Sequence, residues 1–226
     1  MYAKCFKRAL DFVLSLMALI VLSPVLMVLM VLGAIKMKGN PFFTQLRPGK
    51  DEKIFKLIKF RSMTCEKDKD GNFLPDEQRL TRYGQILRST SLDELPELIN
   101  ILKGDMSIVG PRPQLVRDMV FMSDEQRRRH SVRPGLTGLA QVSGRNNITW
   151  EQKFAYDLAY IDSNITLWGD IKIIFQTVLK VFRRDGITEE GMATAADFGD
   201  YLLNKGEVTQ EEYDMKQTEA KELLGV

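Results

Sequence analysis

The longest unbroken pattern in the chain runs from Phe12 to Ile35, 24 positions without a charge and rich in Leu, Val, Ile and Met. As one helix it would be roughly 36 Å long, enough to cross a hydrocarbon core of about 30 Å. It is too long for the apolar region of a signal peptide and has no small-residue cleavage site, so it reads as retained. Ser23-Pro24 sits at the midpoint, where proline kinks or breaks a helix. Lys4, Lys7 and Arg8 precede the stretch and Lys36 and Lys38 follow it, so both flanks are basic. Two topologies fit: a kinked span, or two limbs of about 11 residues that enter and return with both ends cytoplasmic. The pattern alone favours the kinked span, because spanning helices tolerate proline.

Shorter periods follow. Pro41–Gln45 and Lys53–Arg61 read as two strands of a hairpin, turned by Arg47-Pro48-Gly49-Lys50. The second strand has no clean apolar face, and Lys59-Phe60-Arg61-Ser62-Met63 ends it with two cations. Those cations suit either a solvated edge that blocks aggregation or contact with phosphate or membrane. Cys65–Pro75 is polar and predicts a loop. Gln78–Arg88 predicts a helix with Leu80, Tyr83, Gly84 and Leu87 on one face. Capping boxes at Ser123–Gln126 and Thr149–Gln152 predict two further helix starts. Between them, Val132–Asn146 mixes Gly and Pro with apolar residues, which predicts irregular, partly buried backbone carrying Arg133 and Arg145. Leu167–Arg184 places Ile171, Ile174, Phe175, Val178, Leu179 and Phe182 at helical spacing, with Gly186 as a stop. Core packing is the expected use of that stripe; lying on a membrane interface is the alternative.

The candidate chemistry lies in Ser91-Leu92-Asp93-Glu94-Leu95-Pro96, followed by Lys103-Gly104-Asp105 and then Gly110-Pro111-Arg112-Pro113. Ser91 and Glu94 satisfy a capping box, which by itself is structural. With Ser91 as the cap, Pro96 would fall in the second turn and delete a ladder bond. With Asp93 as the cap, Pro96 would be third in the helix, where its missing N–H is harmless. Asp93 would then stand at a helix start, where anions are favoured. Asp105 reads equally as a further acid or a turn residue.

Charge divides the chain. From Ile187 onward there are ten acidic and three basic residues, leaving 29 basic against 20 acidic in the body. A basic body suits a membrane surface, nucleotide phosphates or nucleic acid. Cys5 and Cys65 have no metal-ligand spacing and read as free thiols in a reducing compartment. The single His130, after three arginines, reads as a solvated helix-end residue and excludes a multi-histidine metal cage.

Taken together and in order, the apolar segment with Ser23-Pro24, Lys59–Met63, Ser91–Pro113 and Val132–Asn146 resemble the bacterial sugar transferases known as small monotopic phosphoglycosyl transferases. The likeness spans about Lys7 to Ala196. It implies an α+β, mainly helical fold in three segments: a re-entrant membrane helix-break-helix (1–38), a cytoplasmic catalytic domain with a short hairpin and interfacial helices (39–186), and an acidic extension (187–226). The break at Ser23 and Pro24 replaces the span favoured by pattern. The implied reaction moves a sugar-1-phosphate from a UDP-sugar to polyprenyl phosphate at the cytoplasmic face of the bacterial inner membrane, releasing UMP.

The resemblance makes Asp93 the nucleophile that forms an aspartyl-phosphosugar, with Glu94 supporting it or binding metal. Mg2+ held by Asp93 and Glu94 would neutralise the diphosphate. Arg88 and Arg112, the latter set between Pro111 and Pro113, are the expected phosphate clamps; Lys59, Arg133 and Arg145 are further candidates. Membrane lipid is an expected partner and other glycan-assembly enzymes are possible ones. Glu189–Thr194 resembles the tail of members that use UDP-N,N′-diacetylbacillosamine, so an N-acetylated amino sugar is the first expectation, with UDP-galactose or UDP-glucose as the alternative. A catalytically silent membrane adaptor is the competing class. Nucleic acid is not an expected partner, since no recognition module or stacking platform is present.

Overall fold

The computed structural model describes residues 2–144, 148–163, 165–183 and 197–225. Its first long element, α1 (Lys7–Lys36), carries the apolar segment without interruption. The expected break at Ser23-Pro24 is therefore absent from the helix. The reason is local: Pro24 cannot donate to the Ile20 carbonyl, and the Ser23 hydroxyl donates to that carbonyl instead, at 2.7 Å. The pair repairs the bond that proline removes.

α1 lies against the rest of the protein near both of its ends. The Arg8 guanidinium donates to the Ile101 and Leu102 carbonyls at 2.5 and 2.8 Å. Asp11, fully buried, accepts from the Ser107 hydroxyl and the Ile108 amide. Further along, the Tyr83 hydroxyl donates to the Leu29 carbonyl and sits against Gly33. The opposite face leaves Met17, Ile20, Val21, Met27, Val28 and Ile35 exposed, an apolar surface compatible with membrane anchoring.

The predicted hairpin forms as β1 (Phe42–Pro48) and β2 (Ile54–Phe60), antiparallel with Phe42 opposite Phe60 and Pro48 opposite Ile54. The expected single helix after the polar loop is two, α2 (Asp76–Arg79) and α3 (Arg82–Ser89), the second capped by Thr81. α4 (Glu97–Lys103) then packs across β2. Its buried Asn100 acts like a short strand edge: the side-chain oxygen accepts from Ile58 N and the amide donates to Lys56 O. Phe55, Leu57, Leu98, Ile101 and Met106 form the core between them, closed by Ala18, Leu19 and Leu22 of α1.

Next come β3 (Ser107–Val109), α5 (Val116–Met119), α6 (Asp124–Arg127) and β4 (Gly135–Thr137). β3 and β4 pair in parallel, inside a stretch that the sequence presents as irregular. That pairing depends on glycine, since a Cβ on Gly135 would lie 2.1 Å from the Gly110 nitrogen. α7 (Leu139–Ser143) and α8 (Trp150–Asp162) follow, the latter with the expected Thr149 capping box.

α9 (Leu167–Arg183) reverses the expectation of core packing. Trp168 is 79% exposed and Phe175 62%, with Ile171, Val178 and Leu179 also outward. Asp170 sets the rotation. It is buried, and accepts from Lys7 Nζ at 2.6 Å and from the Tyr160 hydroxyl at 2.8 Å. With Asp170 turned inward, Ile173 is buried and the larger apolar stripe faces out.

The described part of the acidic extension, residues 197–225, is docked. In α10 (Phe198–Lys205) and α11 (Gln210–Leu224), Phe198, Leu202 and Ala220 are buried against α5 and α8. His130 is likewise buried rather than solvated, against the hairpin turn, with Nδ1 3.5 Å from Glu52 Oε1. Burial, with Arg129 and Arg127 nearby, pushes its pKa down to about 3. It is neutral at pH 7.

Candidate active site

Asp93 does not cap a helix. Ser91 takes a left-handed backbone (φ 55°, ψ 20°) and its side chain makes no cap. A 3-10 turn over Leu92–Glu94 follows, and α4 begins only at Glu97, with Pro96 as its N-cap residue. The expected capping box and the placing of Pro96 third in the helix both fail. Glu94 explains why: its carboxylate points away from the Ser91 amide, toward cations. A non-glycine residue at positive φ stores of order 1–2 kcal/mol, a strain that a turn presenting functional side chains can carry.

Around that turn is a compact charge cluster. Lys59, at the end of β2, places Nζ 3.0 Å from Glu94 Oε1 and 3.1 Å from Glu97 Oε1. Arg112 Nη2 lies 2.6 Å from the same Glu94 oxygen. Burial by itself would raise the Glu94 carboxyl, but Arg112 and Lys59 outweigh it and hold it far below the usual range. Burial pushes Glu97 up to about 7; Lys59 opposes this and repulsion from Glu94 reinforces it. Asp93 is raised by burial and by Glu94, against the pull of Lys59, Arg112 and Arg88. The Asp93 carboxylate makes no hydrogen bond or ion pair with a described residue. One carboxylate is thus tied down by two cations, and its neighbour is left basic and available.

The Pro111–Pro113 backbone that carries Arg112 is held at each carbonyl. Pro111 O accepts from Gly135 N at 2.9 Å, Arg112 O from Arg129 Nη2 at 2.6 Å, and Pro113 O from Arg47 Nη1 at 3.3 Å. Pro111 and Pro113 are buried and serve this frame. Arg129 is itself buried and paired with Asp157 at 2.7 Å.

Of the residues expected from sequence, Asp93, Glu94, Lys59 and Arg112 come together. Arg88 ends α3 with its Nε donating to Ser62 Oγ at 3.0 Å, and its charge reaches Asp93. Arg133 is elsewhere engaged: its Nε donates to Gly104 O at 2.7 Å, latching the approach to β4 onto the end of α4. Asp105 accepts from the Asn100 amide at 3.3 Å, as a turn residue would. Arg145 lies outside the described residues, as do Gly186 and Glu189–Thr194. Glu97, Arg47 and Arg129 were missed. Glu97 could have been found from its spacing of three after Glu94; Arg129 sits in a basic run that resembles solvated surface.

A family model described as bacterial sugar transferase matches residues 2–184. The chain belongs to the bacterial sugar transferase family. Among similar proteins, a Bacillus subtilis bacterial sugar transferase, named as the uncharacterized sugar transferase EpsL, is 45% identical over 192 residues, covering 85% of this chain and 95% of its own length. A Klebsiella pneumoniae protein named UDP-glucose:undecaprenyl-phosphate glucose-1-phosphate transferase is 43% identical, covering 78% of this chain but 40% of its own length. A Salmonella typhimurium protein named undecaprenyl-phosphate galactose phosphotransferase is 39% identical, with 80% and 41% covered. The chain therefore spans less than half of those two longer relatives.

Proposed function

We propose that this bacterial sugar transferase moves a hexose-1-phosphate from UDP-glucose or UDP-galactose to polyprenyl phosphate at the cytoplasmic face of the bacterial inner membrane, releasing UMP. The observation that carries this reading is the clasp of Glu94 by Lys59 and Arg112 beside a raised Asp93 that pairs with no described residue. An oxygen of Asp93 attacks the phosphorus that bears the sugar, and the bond from that phosphorus to UMP breaks. An acyl phosphate results. An oxygen of polyprenyl phosphate then attacks the same phosphorus and restores the Asp93 carboxylate. The bond to the anomeric carbon is never touched, so its configuration is kept.

A carboxylate is a weak nucleophile toward an anionic phosphate, and two features here help it. Its raised basicity favours attack, and Arg112, Lys59 and Arg88 offset the charge of the incoming diphosphate. Mg2+ fits this donor set as an ion arriving with the substrate, because it commonly takes one or two carboxylates plus phosphate oxygens. Asp93 and Glu94 would hold it, and among the described residues no group of three or more ligating side chains exists. When bound it would supply charge neutralisation of the diphosphate.

The names of the longer relatives favour a hexose over the N-acetylated amino sugar expected from Glu189–Thr194. With the helix unbroken, a placement of α1 that keeps both ends on the cytoplasmic side is favoured by its packing. Arg8 and Gly33, near opposite ends, both touch the same domain, which a helix standing across the bilayer could not arrange. The exposed face of α9 suits the interface beside it. The test is UMP release by purified full-length protein given polyprenyl phosphate and a panel of UDP-sugars. Release with UDP-glucose or UDP-galactose is expected; no release with any UDP-sugar would overturn the reading.

A further inference from the structure

The family match ends at residue 184, yet α10 and α11 beyond it are packed into the domain beside the loop that carries Arg112. Two routes lead from Phe198 to that loop. The Phe198 ring meets Phe154 edge-on at 5.0 Å, and Phe154 lies 5.9 Å beneath the Arg129 guanidinium, which donates to Arg112 O. Along the other route, Phe198 N donates to Asp118 Oδ1 at 2.9 Å, while Asp118 Oδ2 accepts from Leu115 N at 3.0 Å. Leu115 is two residues after Pro113. Asp118 is 2% exposed, so no water competes with either bond, and the Arg117–Asp197 ion pair at 2.5 Å holds the same junction from outside.

We propose that the C-terminal extension is a positioning element of the active site, in which Phe198 fixes the Pro111–Pro113 backbone through Arg129 and Asp118 and thereby aims Arg112. Prolines on both sides leave this segment few amides of its own with which to hold itself. Its place is set from outside through carbonyls, so a loosened Arg129 or α5 is passed directly to Arg112. Such a brace touches neither substrate nor Asp93. It acts on how well Arg112 meets phosphate, where small misplacement is costly.

The kinetic arm of the test rests on the proposed reaction; the exchange arm does not. In the full-length protein in detergent, Phe198→Ala should speed amide hydrogen exchange across 112–118 by on the order of tenfold, leaving α3 and α4 unchanged. It should lower kcat/KM for UMP release by on the order of 10–100-fold, with Phe198→Leu recovering most of the loss. Added to Arg112→Gln, it should cost little more, because both act through one guanidinium. Unchanged exchange at 112–118, or losses that multiply fully in the double variant, would overturn the proposal. Should Phe198→Ala not fold, Asp118→Asn tests the same link, since its amide can accept only one of the two N–H groups; protection at Leu115 and Phe198 that both persist would then refute it. A wild type that releases no UMP would remove the proposed reaction and leave the exchange result to decide the brace.

Discussion

Replacing Lys59 by Met tests the charge cluster most directly, because Met keeps the length of the stem and removes only the ammonium. Lys59 is 17% exposed and Glu97 3%, so their contact is screened little by water. Breaking such a pair costs about 3–5 kcal/mol when the surviving charge has no relief. Here there is relief. Glu94 keeps Arg112, and Glu97, already raised to about 7, takes up a proton at low cost near pH 6. The expected loss of stability at pH 6 is therefore about 1–3 kcal/mol.

At pH 9 the balance differs. A carboxyl raised above its unfolded value of about 4.3 holds an extra proton in the fold, so stability falls as pH rises through that window. In the wild type the fall ends near 7, where Glu97 ionises against Lys59. In Lys59→Met it continues, because the cation that favours the charged form is gone. Two further pH units at about 1.4 kcal/mol each make the variant lose about 3 kcal/mol more at pH 9 than at pH 6. Thermal melts followed by circular dichroism at one heating rate should show this as a gap widened by about 5–10 °C. An equal loss at both pH values would refute the pairing, as would failure of added Glu97→Gln to abolish the pH difference.

Three further outcomes follow from the site and the surface. Asp93→Asn should abolish UMP release and leave no radiolabelled sugar-phosphate on the protein; label retained by the variant would move the nucleophile elsewhere. His130, buried neutral with its pKa lowered to about 3, makes the fold lose stability as pH drops below its unfolded value of about 6.5. His130→Met should shrink the loss between pH 7 and pH 5 by about 2 kcal/mol, measured by urea unfolding at both pH values; an unchanged slope would place the imidazole in water. Trp168→Glu with Phe175→Glu should weaken binding of detergent-solubilised protein to anionic lipid vesicles while leaving the melting temperature nearly unchanged, since both side chains are exposed. Vesicle binding equal to wild type would assign that face to something other than lipid.

Much of this was legible in the chain. Short apolar runs and turn residues located the hairpin, capping boxes located α6 and α8, and the family resemblance singled out Lys59, Asp93, Glu94 and Arg112, which the fold brings together. Other readings failed for physical reasons. Periodicity marked α9 as amphipathic but could not choose which face turns inward; Asp170, held by Lys7 and Tyr160, makes that choice. His130 looked solvated because a basic run carries no mark of burial, and only the hairpin turn against it, with Asp157 holding the neighbouring Arg129, buries this segment. Arg133, a candidate phosphate ligand, meets the Gly104 carbonyl through its Nε, a contact that no local pattern marks.

Local information along the sequence therefore determined element type, the apolar anchor and the inventory of reactive groups. Backbone propensity, capping and hydrophobic period act over a few residues and are written where they act. Tertiary structure decided which charges meet. Glu94 is joined to Lys59 35 positions away and to Arg112 18 away. The difference between a tied Glu94 and a more basic Asp93 that pairs with no described residue arises only when β2, the Leu92–Glu94 turn and the Pro111–Pro113 loop converge in a half-buried site, where Coulombic pairing outweighs the cost of burial.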